Sequence, residues 1–137
     1  MPSSKPSVNQ DNPFKILLVD DDSSFTYMLK VGLELQTDYQ VIVENDPESA
    51  LQTALRERPN LIFLDAIMPK KDGSEVLKQL SENPDTNPIP VVFLTAISYE
   101  NHSPSTRTNG KLLRESIRKP VSLQTLKEVI VRHLDSQ

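Results

Sequence analysis

The 137-residue sequence contains no cysteine. Disulfides, thiolate nucleophiles and cysteine-based zinc sites are thereby excluded. Histidine is nearly absent as well: His102 and His133 are the only two, and their wide separation matches no metal-binding spacing. Basic charge is not in excess, since 15 Lys and Arg against 19 Asp and Glu leave a net charge of -4. A general affinity for nucleic acid or an anionic membrane needs a basic footprint that this chain lacks. Long apolar runs are missing too. No stretch approaches the roughly 18 residues of a membrane span, and the opening segment MPSSKPSVNQDNP has no apolar core of the signal-peptide kind. These absences point to a cytoplasmic protein. What is present, 36% hydrophobic and 25% charged residues, suits one ordinary globular domain long enough to bury a real core.

Residues 1–13, poor in apolar side chains, read as a mobile tail ahead of a folded domain at 14–137. Within that domain, short runs rich in Val, Ile and Leu recur at 14–19, 41–43, 61–64 and 91–94, with a weaker one at 112–117. Helix-like stripes lie between them. Phe25, Met28, Leu29 and Leu33 share one face after a cap at Asp22 or Ser23. Asp46-Pro47 opens a second helix with Ala50, Leu51, Ala54 and Leu55. Val76, Leu77 and Leu80 mark a third, and Leu123, Leu126, Ile130 and Leu134 mark the last, opened by Ser122. Strands separated by helices pair in parallel through right-handed crossovers. The predicted class is therefore α/β, a doubly wound five-stranded parallel sheet. One crossover is irregular: SYENHSPSTRTNG, at 98–110, offers no apolar stripe.

In such sheets ligands sit outside the carboxyl ends of the strands. The first strand, KILLV, runs into Asp20, Asp21 and Asp22. Two like charges about 4 Å apart repel by roughly 4 kcal/mol at an effective dielectric near 20, so three together need a neutraliser. The third strand ends in Asp65, the fourth in Thr95 and the fifth in Lys119-Pro120. One or two carboxylates with phosphate oxygens are what Mg²⁺ takes, which makes that cation the expected neutraliser. A carboxylate beside it can attack a phosphoryl group, with a lysine and a hydroxyl to stabilise the transferred oxygens. Asp22 reads as a helix cap. Met68-Pro69 and Asp72-Gly73 read as a turn into a helix, with Gly73 at an unusual backbone angle. Lys70 and Lys71 read as a solvated loop face.

Taken together, ILLVDDD, LIFLDAIMPKKDG, VVFLTA and RKP, in this order and spacing across residues 14–135, resemble the receiver domain of two-component response regulators. The resemblance implies a flavodoxin-like (βα)5 fold. It implies that Asp65 is the phosphoacceptor, Asp20 and Asp21 the metal acids, and the main-chain carbonyl of Ile67 a third protein ligand to Mg²⁺. Thr95 would move toward the phosphate and Lys119 pair with it, before a Lys119-Pro120 bond that is cis in many relatives. The implied donor is a histidine kinase or histidine phosphotransfer protein. Output passes to a downstream protein target, or into a homodimer, without direct contact to nucleic acid. Only three residues follow Leu134, so no second domain is expected unless the chain is a fragment.

The chain departs from the family pattern in places. Ser116 stands where relatives carry Tyr or Phe as a switch residue, and Thr95 and Lys119 are separated by about two residues more than usual. Arg107, Lys111, Arg114, Arg118 and Lys119 outnumber Glu115, giving a solvated surface or a docking face for an acidic partner. Ile67 and Ile97 are apolar where relatives tune attack of water on the acyl phosphate, so slow self-dephosphorylation is expected. Two alternatives stay open. One is a receiver-like interaction module that is never phosphorylated. The other is a haloacid-dehalogenase-type phosphohydrolase built on Asp20 and Asp22, although only Glu128 and Asp135 follow the lysine to serve as its further acids.

Overall fold

Ile16, Leu17, Leu18 and Val19 are all buried in strand β1 (Lys15–Val19), which is why no polar residue alternates through them. The structure, a computed structural model, describes residues 13–96 and 113–134. After β1 come α1 (Ser23–Gln36), β2 (Gln40–Glu44), a 3-10 turn (Pro47–Ser49), α2 (Ala50–Glu57), β3 (Leu61–Asp65) and α3 (Gly73–Glu82). Strand β4 (Val91–Thr95), strand β5 (Leu113–Arg118) and helix α4 (Leu123–Leu134) complete the described elements. The five strands pair in parallel in the order β2-β1-β3-β4-β5. All five predicted strands are present. The irregular crossover at 98–110 and the tail at 1–12 lie outside the described residues, as do Ile97, Arg107 and Lys111.

Two apolar layers sandwich the sheet. On one face Ile16, Leu18, Phe63, Val92 and Leu94 meet Leu29 and Leu33 of α1 and Leu126, Val129 and Ile130 of α4. On the other, Leu17, Val19, Ile62, Leu64 and Phe93 meet Ala50 and Ala54 of α2 and Val76, Leu77 and Leu80 of α3. Each fully buried Leu, Ile or Phe stabilises the fold by about 1.5–3 kcal/mol relative to exposure. Chain direction across the sheet reverses between β1 and β3, so the residues ending those two strands flank the switch point. No helix among the described residues is long and apolar enough to cross a membrane.

Two local expectations change, and strand β5 holds an irregularity. Met28 is 58% exposed, and the buried face of α1 is Thr26, Leu29 and Leu33. Thr26 tolerates burial because its hydroxyl lies 3.2 Å from the Ser23 carbonyl and accepts from Asn45 Nδ2 at 2.9 Å. Asp46-Pro47 opens the 3-10 turn, and α2 starts only at Ala50. Strand β5 carries a register shift: Leu113 faces Val91 while Glu115 faces Val92, leaving Arg114 as the extra residue of a bulge.

Asp22 is the N-cap of α1, and its side chain accepts from the Phe25 amide at 3.1 Å. That bond satisfies one of the orphan donors of the first turn. Replacing Asp22 with Ala is expected to cost about 1 kcal/mol of stability in urea denaturation with an unchanged slope.

Candidate functional site

The strand ends deliver their polar residues to one place. Asp20 follows β1, Asp65 closes β3, Thr95 closes β4 and Lys119 follows β5. Asp20, Asp65 and Thr95 are buried; Asp21 is exposed at the rim. Carboxylate oxygens of Asp20, Asp21 and Asp65 all lie within 4.8 Å of one another. The Lys119 ammonium donates to Asp20 Oδ2 at 2.7 Å and stands 3.7 Å from Asp65 Oδ2. Its backbone amide donates to the Thr95 carbonyl at 2.6 Å, which ties the ends of β4 and β5 together. The Lys119-Pro120 bond is cis, as the resemblance implied.

Backbone amides at the turns orient the acids. The Asp22 amide donates to Asp20 Oδ1 at 2.9 Å, and the Ile67 amide donates to Asp65 Oδ1 at 3.3 Å. These donors do not offset the crowding of negative charge. Burial, together with the charge of Asp20, pushes the Asp65 carboxyl up to about 6 from its usual 3.8, against the pull of Lys119 and the Ile67 amide. Burial also works against the charge on Lys119. The hydrogen bond and charge of Asp20, helped by Asp65 and Asp22, outweigh it and hold the ammonium above the usual lysine range.

The electrostatic question posed by the triple aspartate thus has a two-part answer. Lys119 neutralises Asp20 from 99 residues away in sequence. Asp65 is left in excess, its proton held more tightly than normal. Hard oxygen donors at this spacing, with one acid under-neutralised, fit a small divalent cation such as Mg²⁺.

Asp22 stands outside the three-acid cluster, its carboxylate spent on the α1 cap. The Asp-x-Asp pair needed by the phosphohydrolase alternative is therefore not assembled. Gly73 also departs from expectation: no glycine among the described residues has a positive φ. Glycine is needed there because α3 begins hard against the end of β3. A Cβ at Gly73 would sit 2.5 Å from the Asp65 carbonyl oxygen and 2.7 Å from Ala66 Cα. The Gly73 amide donates to the Ala66 carbonyl at 2.9 Å, sealing that approach. Lys70 is exposed as expected, whereas Lys71 is half-buried and donates to Gln79 of α3 at 3.2 Å. Ile67 is 51% exposed at the rim, and Ser116 is exposed opposite Phe93 in the β4–β5 register.

Two contributors were not read from the sequence as site residues. The Phe25 ring lies under the Lys119 ammonium, 4.7 Å from nitrogen to ring centroid, where a cation–π contact steadies the amine. Asn45 follows β2 directly, so the strand-end rule that selected the other residues applies to it equally.

Comparison with known proteins agrees with this geometry. Residues 16–131 match the family described as the response regulator receiver domain. The response regulator Rcp1 of Synechocystis is 36% identical over 124 residues, 78% of this chain and 84% of that one. The alkaline phosphatase synthesis transcriptional regulatory protein PhoP of Bacillus subtilis is 45% identical over 82 residues, which is 60% of this chain but only 33% of PhoP. This chain therefore corresponds to about a third of such longer relatives. Among solved structures, the CheY-like receiver domain protein of Methanospirillum hungatei superposes with a TM-score of 0.80 at 25% identity, covering 91% of this chain and 96% of that one. The chemotaxis protein CheY4 of Vibrio cholerae gives a TM-score of 0.80 at 26% identity, with coverage of 88% and 98%. Sequence match, sheet order and strand-end chemistry agree, and the chain belongs to the response regulator receiver family of two-component signalling.

Proposed function

We propose that residues 14–137 form a cytoplasmic receiver that accepts a phosphoryl group on Asp65. The donor is a phosphohistidine on a histidine kinase or histidine phosphotransfer protein. The observation that carries this reading is the clustering of three carboxylates within 4.8 Å, with the Lys119 ammonium 3.7 Å from Asp65. Asp20, Asp21 and Asp65, with the main-chain carbonyl of Ile67, would hold Mg²⁺. When bound, the ion supplies positive charge to the carboxylates and to the oxygens of the incoming phosphoryl group.

Ionised Asp65 offers an oxygen to phosphorus. The new O–P bond forms as the P–N bond of phosphohistidine breaks, and the imidazole leaves with the electron pair and takes a proton from solvent. Lys119 starts on Asp20 and has less than 4 Å to cover to reach an acceptor on Asp65. The buried Thr95 hydroxyl is the remaining donor for the transferred oxygens. Water removes the group in a self-catalysed step that the apolar side chain of Ile67 at the rim slows. Altered contacts with a downstream protein, or between two copies of the chain, carry the signal. Ser116 in place of an aromatic residue means that this output does not depend on a ring turning inward.

Intact-mass spectrometry tests the assignment after incubation with Mg²⁺ and acetyl phosphate. A single phosphoryl adduct is expected, and both Asp65→Asn and chelation of Mg²⁺ should abolish it. A protein that binds Mg²⁺ yet gains no adduct would instead be an interaction module that is not phosphorylated.

A further inference from the structure

Asn45 touches the acid cluster through a backbone carbonyl. Its Nδ2 donates to the Asp20 carbonyl at 2.7 Å and to Thr26 Oγ1 at 2.9 Å. The orientation of the amide is fixed by chemistry, because a carbonyl oxygen only accepts. Asp20 lies one residue past β1, where its amide still donates to the Glu44 carbonyl at 3.2 Å and the β1–β2 register ends at Val19 and Glu44. No further strand residue is there to meet the Asp20 carbonyl. Asn45 meets it instead.

That carbonyl belongs to the peptide joining Asp20 to Asp21, the two acids from β1 in the cluster. The three carboxylates are anchored unequally. Asp20 is held by the Asp22 amide and Lys119, and Asp65 by the Ile67 amide. Among the described residues, no hydrogen-bond donor reaches the Asp21 carboxylate, so the place of that group depends on its backbone. The orientation of the 20–21 peptide sets where the Asp21 side chain starts. Thr26 extends the restraint, since its hydroxyl also faces the carbonyls of Asp22 at 3.3 Å and Ser23 at 3.2 Å in the first turn of α1. Asn45 and Asp21 line the same cleft of about 500 Å³, with Asp46, Pro69 and Lys70 around them.

We propose that Asn45 is a positioning residue for the divalent cation: it fixes the Asp20–Asp21 peptide so that Asp21 points into the cluster, and thereby sets metal affinity. The proposal rests on the magnesium reading above. Outer partners that orient metal ligands typically change affinity by about 10–100-fold when removed.

The test uses the full chain with Mn²⁺, whose binding is counted directly by electron paramagnetic resonance, and Mg²⁺ as competitor. Asn45→Ala removes the amide, and Asn45→Leu keeps nearly the same bulk without a donor. Both are expected to weaken Mn²⁺ binding about tenfold. Leu51→Ala, which loosens the partly buried side of α2 away from the acids, serves as a control of comparable stability loss. It should move affinity by less than about twofold, as expected for a site it does not touch. Phosphorylation by acetyl phosphate in the Asn45 variants should recover toward the wild-type rate at saturating Mg²⁺, because the defect lies in filling the site.

Asn45 variants that bind Mn²⁺ like the wild type would overturn the proposal, and so would an equal loss in Leu51→Ala. Failure of the underlying magnesium reading looks different. There the wild type itself would bind no Mn²⁺, or Asp21→Asn would bind as tightly as wild type.

Discussion

Gly73→Ala is expected to destabilise the protein by about 3 kcal/mol, the upper end of what an overpacked backbone contact costs. The reason is local and steric. An added methyl at Gly73 would lie 2.5 Å from the Asp65 carbonyl oxygen, 2.7 Å from Ala66 Cα and 2.9 Å from the Ala66 carbonyl oxygen. All three neighbours are backbone at the end of a buried strand, so no flexible side chain can turn aside. Alanine's better helix propensity, worth about 1 kcal/mol at most, cannot offset this. Relief requires α3 to withdraw or the Asp65 peptide to shift. Either movement displaces Asp65, the proposed phosphoacceptor, and a displacement near 1 Å costs on the order of 100-fold in a positioned reaction. Urea unfolding should show a lower midpoint with an unchanged slope, and phosphorylation by acetyl phosphate should slow at least tenfold at saturating Mg²⁺. The exposed neighbour Ser74 serves as the control: Ser74→Ala should stay within about 0.5 kcal/mol of wild type. A neutral Gly73→Ala would mean that the close approach of α3 to β3 is not what requires glycine.

That glycine also shows where reading from sequence reached its limit. Three of the five strands were plainly legible because β1, β3 and β4 are buried on both faces, so their apolar runs are continuous and end abruptly at polar residues. The strand-end rule then selected Asp20, Asp65, Thr95 and Lys119, and the structure gathers them at one edge. A glycine beside an aspartate reads as a turn residue, yet Gly73 is required by a neighbour that only the packed fold provides. Met28 was misplaced on the inner face of α1 because periodicity counts apolar side chains. Thr26 takes the inner position through hydrogen bonds to Asn45 and to the carbonyls of its own first turn. The pairing of Lys119 with Asp20 was hidden by sequence distance. Lysine was read as a partner for phosphate, and its place before any phosphate arrives follows from which carboxylate is nearest.

That resting place shapes how the site responds to acid and to metal. Lys119 is committed to Asp20 at 2.7 Å and reaches Asp65 only at 3.7 Å. Two buried carboxylates thus share one ammonium, and Asp65 has the lesser share. Attraction over the longer distance does not offset the desolvation of Asp65 and the repulsion from Asp20, so its carboxyl rises to about 6. At neutral pH Asp65 is therefore ionised at a cost, and a cation entering the cluster would relieve that cost.

Metal-free Asp65→Asn is therefore expected to be more stable than the wild type at neutral pH. Its folded carboxyl titrates near 6, against a usual value of 3.8. Between those values the native state binds more protons than the unfolded chain, so the contribution of Asp65 to stability falls as pH rises through that window. Below the window both states are protonated and its favourable contribution is complete. Above it the ionised carboxylate carries its full cost, roughly 2 kcal/mol after allowance for solvent at the rim. Asparagine keeps the shape and carries no charge, so the cost disappears. With a chelator present at about pH 7.5, calorimetry should place the Tm of Asp65→Asn several degrees above that of the wild type, and the two should converge near pH 4. Addition of Mg²⁺ should then raise the Tm of the wild type more than that of the variant, because the ion removes the repulsion that the substitution has already removed. Two parallel pH curves, separated by the same amount in acid and at neutrality, would show that Asp65 is not the group whose charge the fold strains to hold.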